Sequence, residues 1–218
     1  EGKLMYHSVT FGNKNTWDDW FLIPSSRPVF NPPEVKTNYL EIPGSDGVLD
    51  LTAALTGSPN YSNRTGSFEF IVDNGHKEWF EIYSEISNYL HGQVMKAILE
   101  DSPDYYYEGR FSVKEWKSDP THSLITIDYN VDTYKRKTAL TVVSQTGNGV
   151  VNLSNLKMPV TPRITTTAET NLTWLGNTVS LNSGANQLVP ALTLDAGVVP
   201  ITVVTSGKVT FTYREGGF

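Results

Sequence analysis

LITIDYNV, at residues 124–131, alternates apolar and polar side chains from Ile125 onward. Successive side chains of an extended chain point to opposite faces, so this segment has one apolar and one polar face. It predicts a central, half-buried β-strand. Shorter runs rich in β-branched and aromatic residues predict further strands around it. These candidates are residues 8–12, 18–23, 39–42, 67–72, 94–99, 105–110 and 111–117.

One helix is predicted in this first half, at residues 76–90. Its apolar residues recur at helical spacing, which gives one buried stripe. They are Trp79, Ile82, Tyr83, Ile86 and Leu90. Asp73 or Asn74 is the candidate N-cap, and Gly92 follows the end. Three carboxylates off the stripe are interpreted as a solvated helix face rather than a metal site; they are Glu78, Glu81 and Glu85.

The second half reads as many short strands separated by glycine-containing turns. Such strands at intervals of about 8–12 residues are typical of a β-sandwich. The candidates are residues 150–153, 163–167, 171–175, 177–181, 187–194, 200–205 and 208–213. The sequence therefore predicts a mainly β protein in which the helix belongs to the first half.

Charge and composition change near residue 138. Residues 1–137 hold 13 Lys and Arg against 20 Asp and Glu, whereas residues 138–218 hold four against three. The net charges are thus −7 and +1. Because such a shift is typical of a domain boundary, we predict domains at 1–137 and 138–218, with Lys135–Lys137 as a linker.

Composition excludes several classes of protein. The chain has no cysteine, so disulfides and thiolate metal sites are impossible. The net charge of −6 offers no basic stripe for nucleic acid, and no run of 18 apolar residues is present to span a membrane. The start lacks the apolar segment of a signal peptide. Met5 is a candidate native start, preceded by four residues that do not belong to the fold.

The sequence contains no recognisable group of catalytic residues. The four histidines show no metal-binding spacing, and no nucleophile elbow or phosphate-binding loop is present. The acidic segment 100–104 is interpreted as a solvated turn rather than a calcium loop. Asp18 and Asp19, as neighbours in a predicted strand, would point to opposite faces. We therefore predict a protein that is not an enzyme and that has no metal or cofactor.

An ordered series of motifs across residues 8–134 resembles the distal tail proteins of long-tailed, non-contractile bacteriophages. The series opens with Thr10–Pro24 and continues through the proline- and glycine-rich turn at 42–52. The remaining motifs are residues 61–70, 89–92, 97–101, 106–110 and 125–129. The second half is similar to the family only through its β pattern and its ending, residues 207–216.

The resemblance implies a structural virion protein at the tail tip. Its first domain would have a tail-tube-like fold and form a hexameric ring between the tail tube protein and the tail-associated lysin or fibre hub. Its second domain would be a galectin-like β-sandwich that holds a receptor-binding protein or a cell-wall glycan. Since DNA must pass through such a ring, we also expect part of the charge of −7 to face the channel.

The aromatic residues of each domain are compatible with two roles. The first domain is rich in them, at Tyr105–Tyr107 and in its four Trp residues, and they serve either a core or a subunit interface. In the second domain Trp174 is the candidate platform for a sugar ring, against the alternative that it is a core residue. The alternative function is therefore a carbohydrate-binding module that recognises cell-wall glycans through Trp174.

Overall fold

The computed structural model describes residues 6–54, 56–72, 78–118, 123–189 and 192–218, with the backbone alone described for residues 185–188. The chain divides into two compact units, residues 1–133 and residues 134–218. This division falls four residues before the position where the charge of the sequence changes. Strands dominate both units, so the predicted mainly β fold is confirmed.

The first unit is built on one antiparallel sheet. The order of its strands is β2-β1-β7-β8-β9-β6-β3, and β4 pairs with β5 in a separate hairpin. The bounds are β1 (Val9–Phe11), β2 (Lys14–Asn15), β3 (Leu22–Pro24), β4 (Tyr39–Glu41), β5 (Val48–Asp50), β6 (Arg64–Val72), α1 (Trp79–Leu90), β7 (Gln93–Leu99), β8 (Tyr105–Ser118) and β9 (Ser123–Val131).

The segment 124–131 is a central strand, as its alternation predicts. β9 lies between β8 and β6 and pairs along its length with β6, from Arg64 opposite Val131 to Val72 opposite Ser123. Its alternate side chains enter the core together with those of the neighbouring strands, because strand alternation sends one apolar set to a single face. The fully buried aromatic and aliphatic residues there include Phe11, Phe70, Phe111, Ile125 and Ile127.

Helix α1 covers the core face of this sheet. It buries Ile82, Ile86 and Leu90, which belong to the predicted stripe. It begins at Trp79, with Glu78 at the N-cap position, three residues later than predicted. The predicted caps Asp73 and Asn74, and His76, lie outside the described residues. At the other end Gly92 takes a positive φ of 75°, a conformation that favours glycine, and the chain turns directly into β7.

Strands β4 and β5 form an arm that extends from the first unit. We define the arm as residues 34–61. Its stem is closed by a bridge between Val35 and Tyr61, and its tip is the predicted turn at 43–47. Residues 34–50 are all exposed. The proline-rich segment before the arm, residues 27–33, forms no helix or strand, because Pro28, Pro32 and Pro33 lack a backbone N–H.

The second unit is a β-sandwich. One sheet has the order β11-β18-β13-β16 and the other β12-β17-β14-β15, while β10 pairs with β19. Both sheets contribute to one core, with Phe211 and Trp174 from opposite sheets. The bounds are β10 (Lys135–Lys137), β11 (Thr141–Thr146), β12 (Gly149–Asn155), β13 (Arg163–Thr166), β14 (Thr170–Trp174), β15 (Asn177–Leu181), β16 (Gly184–Leu188), β17 (Gly197–Thr205), β18 (Lys208–Tyr213) and β19 (Gly216–Gly217).

The predicted linker is part of the second unit. Residues 135–137 form β10, paired with the C-terminal strand β19. Lys137 Nζ donates a hydrogen bond of 2.8 Å to Oε1 of the buried Glu215, which also accepts one of 2.7 Å from Thr141 Oγ1. These bonds connect the beginning of the unit to its end. The prediction that Lys135–Lys137 is a linker is therefore wrong.

Three strand predictions differ from the structure. Of the strand predicted at 18–23, residues 18–20 form turns and only Leu22 and Ile23 lie in a strand, β3, because Asn15 Oδ1 accepts the N–H groups of Trp17 and Asp18 and bends the chain. The two strands predicted at 105–117 are one strand with a bulge between Val113 and Glu115. The strand predicted at 187–194 overlaps only the end of β16, while Leu194 makes an isolated bridge to Val160.

Candidate functional site

The histidine in the described N-terminal segment belongs to an ionic contact. His7 Nδ1 lies 2.9 Å from both carboxylate oxygens of Asp101, and Arg27 Nε donates to Asp101 Oδ2 at 2.7 Å. The hydrogen bond from Arg27, with help from His7, lowers the pKa of the Asp101 carboxyl. The contact connects the N-terminal segment, the proline-rich segment and the turn after β7. The three side chains therefore have a structural role in holding these segments together.

Three further acidic candidates contact protein groups: Glu100, Asp19 and Glu85. Glu100 Oε2 accepts hydrogen bonds from the backbone N–H and the hydroxyl of Ser8. Asp19 accepts from the backbone N–H of Asn15 and from Lys14 Nζ. Glu85 contradicts the expectation of a purely solvated helix face, because its carboxylate lies against a buried indole.

Metal and catalytic sites were not expected. In the described ranges no group of three or more His, Asp or Glu is arranged to hold a metal ion. His91 Nδ1 accepts the backbone N–H of Val113, far in sequence from His7. His76 and His122 lie outside the described residues. The expectation that the chain is not an enzyme stays a prediction.

The arm carries an apolar surface without a covering element among the described residues. Leu40 pairs directly with Leu49 across the hairpin, and their exposed fractions are 49% and 47%. Four further apolar side chains of the arm are at least 45% exposed: Val35, Tyr39, Ile42 and Val48. A two-stranded hairpin is marginally stable alone in water, and exposed apolar clusters are typical of protein–protein contacts. The arm is therefore the strongest candidate for a subunit contact.

The face of the first sheet opposite to the core is polar. Its charges are balanced, with Lys114 Nζ 3.6 Å from Asp128 Oδ2. By strand alternation the charged residues on this face are Glu69, Lys96, Glu108, Arg110, Lys114, Glu115, Lys117 and Asp128. Four are basic and four acidic. Because the charges on this face cancel, the negative charge of an acidic channel wall would have to come from other surfaces of the first unit. That the channel wall is acidic stays a prediction.

Trp174, the predicted sugar platform, lies in the core of the second unit. Its exposed fraction is 5%. It ends β14, opposite Asn177 on β15. A ring that stacks on a sugar has to offer a face to solvent, and the burial of Trp174 argues against this use. Its carbohydrate-binding role stays a prediction.

A solved structure shares this architecture from end to end. The crystal structure of the Dit protein (gp 19.1) of phage SPP1 matches 97% of this chain and 99% of its own, with a TM-score of 0.68 and 15% sequence identity. The chain has the fold of a Dit protein. The Dit protein of SPP1 is a paradigm of the hub adsorption apparatus in phages that infect Gram-positive bacteria.

The Dit fold confirms the resemblance drawn from the motif series, at the level of the fold. At 15% identity most side chains differ, so the match shows a shared fold. No family model and no curated protein matches the sequence. Among the described helical residues, none forms a segment long and apolar enough to cross a membrane.

Proposed function

We propose that this chain is a structural component of a phage tail tip. Six copies of it would form a ring that joins the tail tube to the adsorption apparatus. The observation that carries the proposal is the likeness to the SPP1 Dit protein over 97% of the chain. The match covers almost all of either chain, so it includes both units of this one.

The arm supports the assembly part of this proposal. A hairpin that exposes Leu40 and Leu49 side by side gains stability when a neighbour covers it. A ring repeats one such contact at every subunit boundary, because each copy offers both the arm and the surface that receives it. The partners at the two sides of the ring would be the tail tube protein and the lysin or fibre hub.

The second unit would project from this ring and hold a receptor-binding protein. Its outer faces carry hydroxyl and amide side chains, such as Ser144 beside Thr210 and Asn171 beside Ser180. A carbohydrate-binding module is the alternative function, but the burial of Trp174 removes the aromatic platform on which it depends.

The decisive experiment measures the native mass of the full chain over a concentration series, with negative-stain images of the same samples. Six copies of 24.2 kDa would weigh about 145 kDa and show a central hole. The double variant Leu40→Ser/Leu49→Ser should remain monomeric and folded. The control Val142→Ser/Val150→Ser changes two apolar residues of the second unit that are somewhat more exposed than Leu40 and Leu49, and it should assemble like the wild type.

Two results would each contradict one part of the proposal. A wild-type chain that stays monomeric at every concentration would rule out self-assembly into a ring. Rings formed equally well by the Leu40→Ser/Leu49→Ser variant would remove the arm from the interface. Immunogold labelling of the parent virions tests the location, and gold at the tail tip is the expected result.

A further inference from the structure

A pocket of about 380 Å³ lies in the first unit between the N-terminal segment, the turn at 15–18 and the end of β7. The volume is within the range of about 300–1,000 Å³ that is typical of small-ligand sites. Tyr6 and Trp17 form part of the wall, and Glu100 and Asp18 are the carboxylates that line it. The arm and its ring contact use none of these residues.

The aromatic part of the wall is a stacked pair. The rings of Tyr6 and Trp17 lie 3.9 Å apart with an angle of 13° between their planes, and Phe21 meets Trp17 edge to face. Both rings of the pair are half-buried. The faces of aromatic rings carry partial negative charge and attract the polarised C–H groups of a saturated ring. No local pattern in the sequence signals this pair, because Tyr6 and Trp17 are eleven residues apart and meet only through the turn.

The polar part of the wall is a fixed hydrogen-bond network around Asn15. Its Nδ2 donates to Ser8 Oγ at 3.1 Å and to Thr10 Oγ1 at 3.0 Å. Ser8 in turn donates to Glu100 Oε2 at 3.0 Å. Hydroxyl and carboxylate groups are thus held in place before a ligand arrives, which reduces the entropy lost on binding. Asp18 adds an exposed carboxylate at the rim.

The charge of the lining selects the class of ligand. Among the described residues, two carboxylates and no Lys, Arg or His line the pocket. Phosphate, sulfate and acidic sugars are therefore disfavoured, since an anion would be placed beside like charges. A ligand rich in hydroxyl groups can donate hydrogen bonds to the carboxylates and present C–H groups to the rings.

We propose that this pocket binds an uncharged sugar ring, a hexopyranoside of a surface glycan. The site lies in the first unit, at Trp17, and is distinct from the predicted platform at Trp174. It adds a recognition function to the proposed structural role and does not depend on ring formation.

Calorimetric titration of the full chain with methyl glycosides of glucose, galactose and N-acetylglucosamine tests the site. We expect one of them to bind with a Kd of about 1 mM, a typical value for a single weak ligand. Asp18→Asn, an exposed change, should weaken that binding about tenfold because it removes a charge-assisted hydrogen bond. Asp46→Asn at the tip of the arm makes the same change of charge outside the pocket and should leave binding unchanged.

Labelling with 5-fluorotryptophan locates the ligand. The resonance that disappears in Trp17→Phe should shift on titration with the sugar. Absence of binding by all three glycosides at tens of millimolar overturns the proposal. So does binding that neither shifts the Trp17 resonance nor weakens in Asp18→Asn, because the sugar would then lie elsewhere. Choline chloride serves as a cationic probe, and a response to choline alone also overturns the proposal.

Discussion

The indole Nε1 of Trp20 donates a hydrogen bond of 3.2 Å to Oε1 of Glu85 on helix α1. Trp20 is fully buried beneath the sheet, so its N–H has no access to bulk water. The carboxylate therefore reaches inward from the helix and satisfies a polar group of the core. Lys14, 3.7 Å from the same carboxylate, extends the contact to β2.

Replacement of Glu85 by Ala should destabilise the first unit. The buried indole N–H would lose its acceptor, which costs about 1–3 kcal/mol. Glu85→Gln keeps a carbonyl oxygen at the same distance and should retain most of the stability. Urea unfolding followed by tryptophan fluorescence gives the comparison. Glu81→Ala, an exposed change on the same helix, is the control, and an equal loss of stability in both Ala variants would contradict the assigned role of Glu85.

The contact between Arg27 and Asp101 predicts a pH dependence. The pKa of Asp101 is lowered in the folded chain by Arg27 first and by His7 in addition. A depressed pKa contributes stability that is present above the carboxyl's unfolded pKa and is lost as the pH falls through its folded pKa.

In Arg27→Ala the pKa of Asp101 should move back up toward its ordinary value, so its folded and unfolded values draw together and less stability should be lost as the pH falls between them than in the wild type. Thermal melts between neutral and acidic pH measure the shift. Asp101→Asn removes the titrating group and should flatten the same part of the curve. An unchanged pH profile in Arg27→Ala would show that this contact contributes nothing to the stability.

The regular parts of the fold were predictable from local pattern. The alternation of 124–131 and the stripe of α1 each reflect burial of one face, so the sequence period gives the element directly. The segment after β1 shows where pattern fails. Residues 18–23 have the composition of a strand, but the side chain of Asn15 accepts two backbone N–H groups, so the first part of the segment is a turn and β3 begins only at Leu22.

The candidate surfaces were less predictable, because they depend on contacts distant in sequence. The turn at 43–47 signals a hairpin, but nothing in the sequence shows that Leu40 and Leu49 stay uncovered. Trp174 illustrates the reverse case, since a single Trp in a β-rich segment is compatible with a surface position, although a core position is favoured. Its burial follows from the β14 register, which sends it inward with Leu172.

The turn after Trp174 predicts a stabilising substitution. Leu175 has a φ of 42° and Gly176 a φ of 79°, so the hairpin between β14 and β15 is closed by two residues in the left-handed region. Such turns favour Asn-Gly, and a side chain like Leu is disfavoured there by about 1–2 kcal/mol. Leu175 is 80% exposed and makes little use of its side chain.

Leu175→Asn should therefore stabilise the second unit by about 1 kcal/mol. Leu175→Ala keeps a Cβ without the local hydrogen bonding of Asn and should change the stability little. Differential scanning calorimetry of both variants measures the difference. If Asn and Ala behave alike, strain at this position does not limit the stability of the hairpin.

Substitutions of Trp174 distinguish a core role of this residue from a sugar-binding role. Truncation to Ala removes a buried indole from the core that both sheets share, and should destabilise the second unit by about 3–5 kcal/mol. Trp174→Phe keeps an aromatic ring and should lose less. Glycan-array binding by the folded Phe variant separates the roles, because a core residue leaves any glycan binding unchanged. Loss of glycan binding with an unaltered unfolding curve would instead make Trp174 a ligand platform, and the second unit would then have to open to expose it.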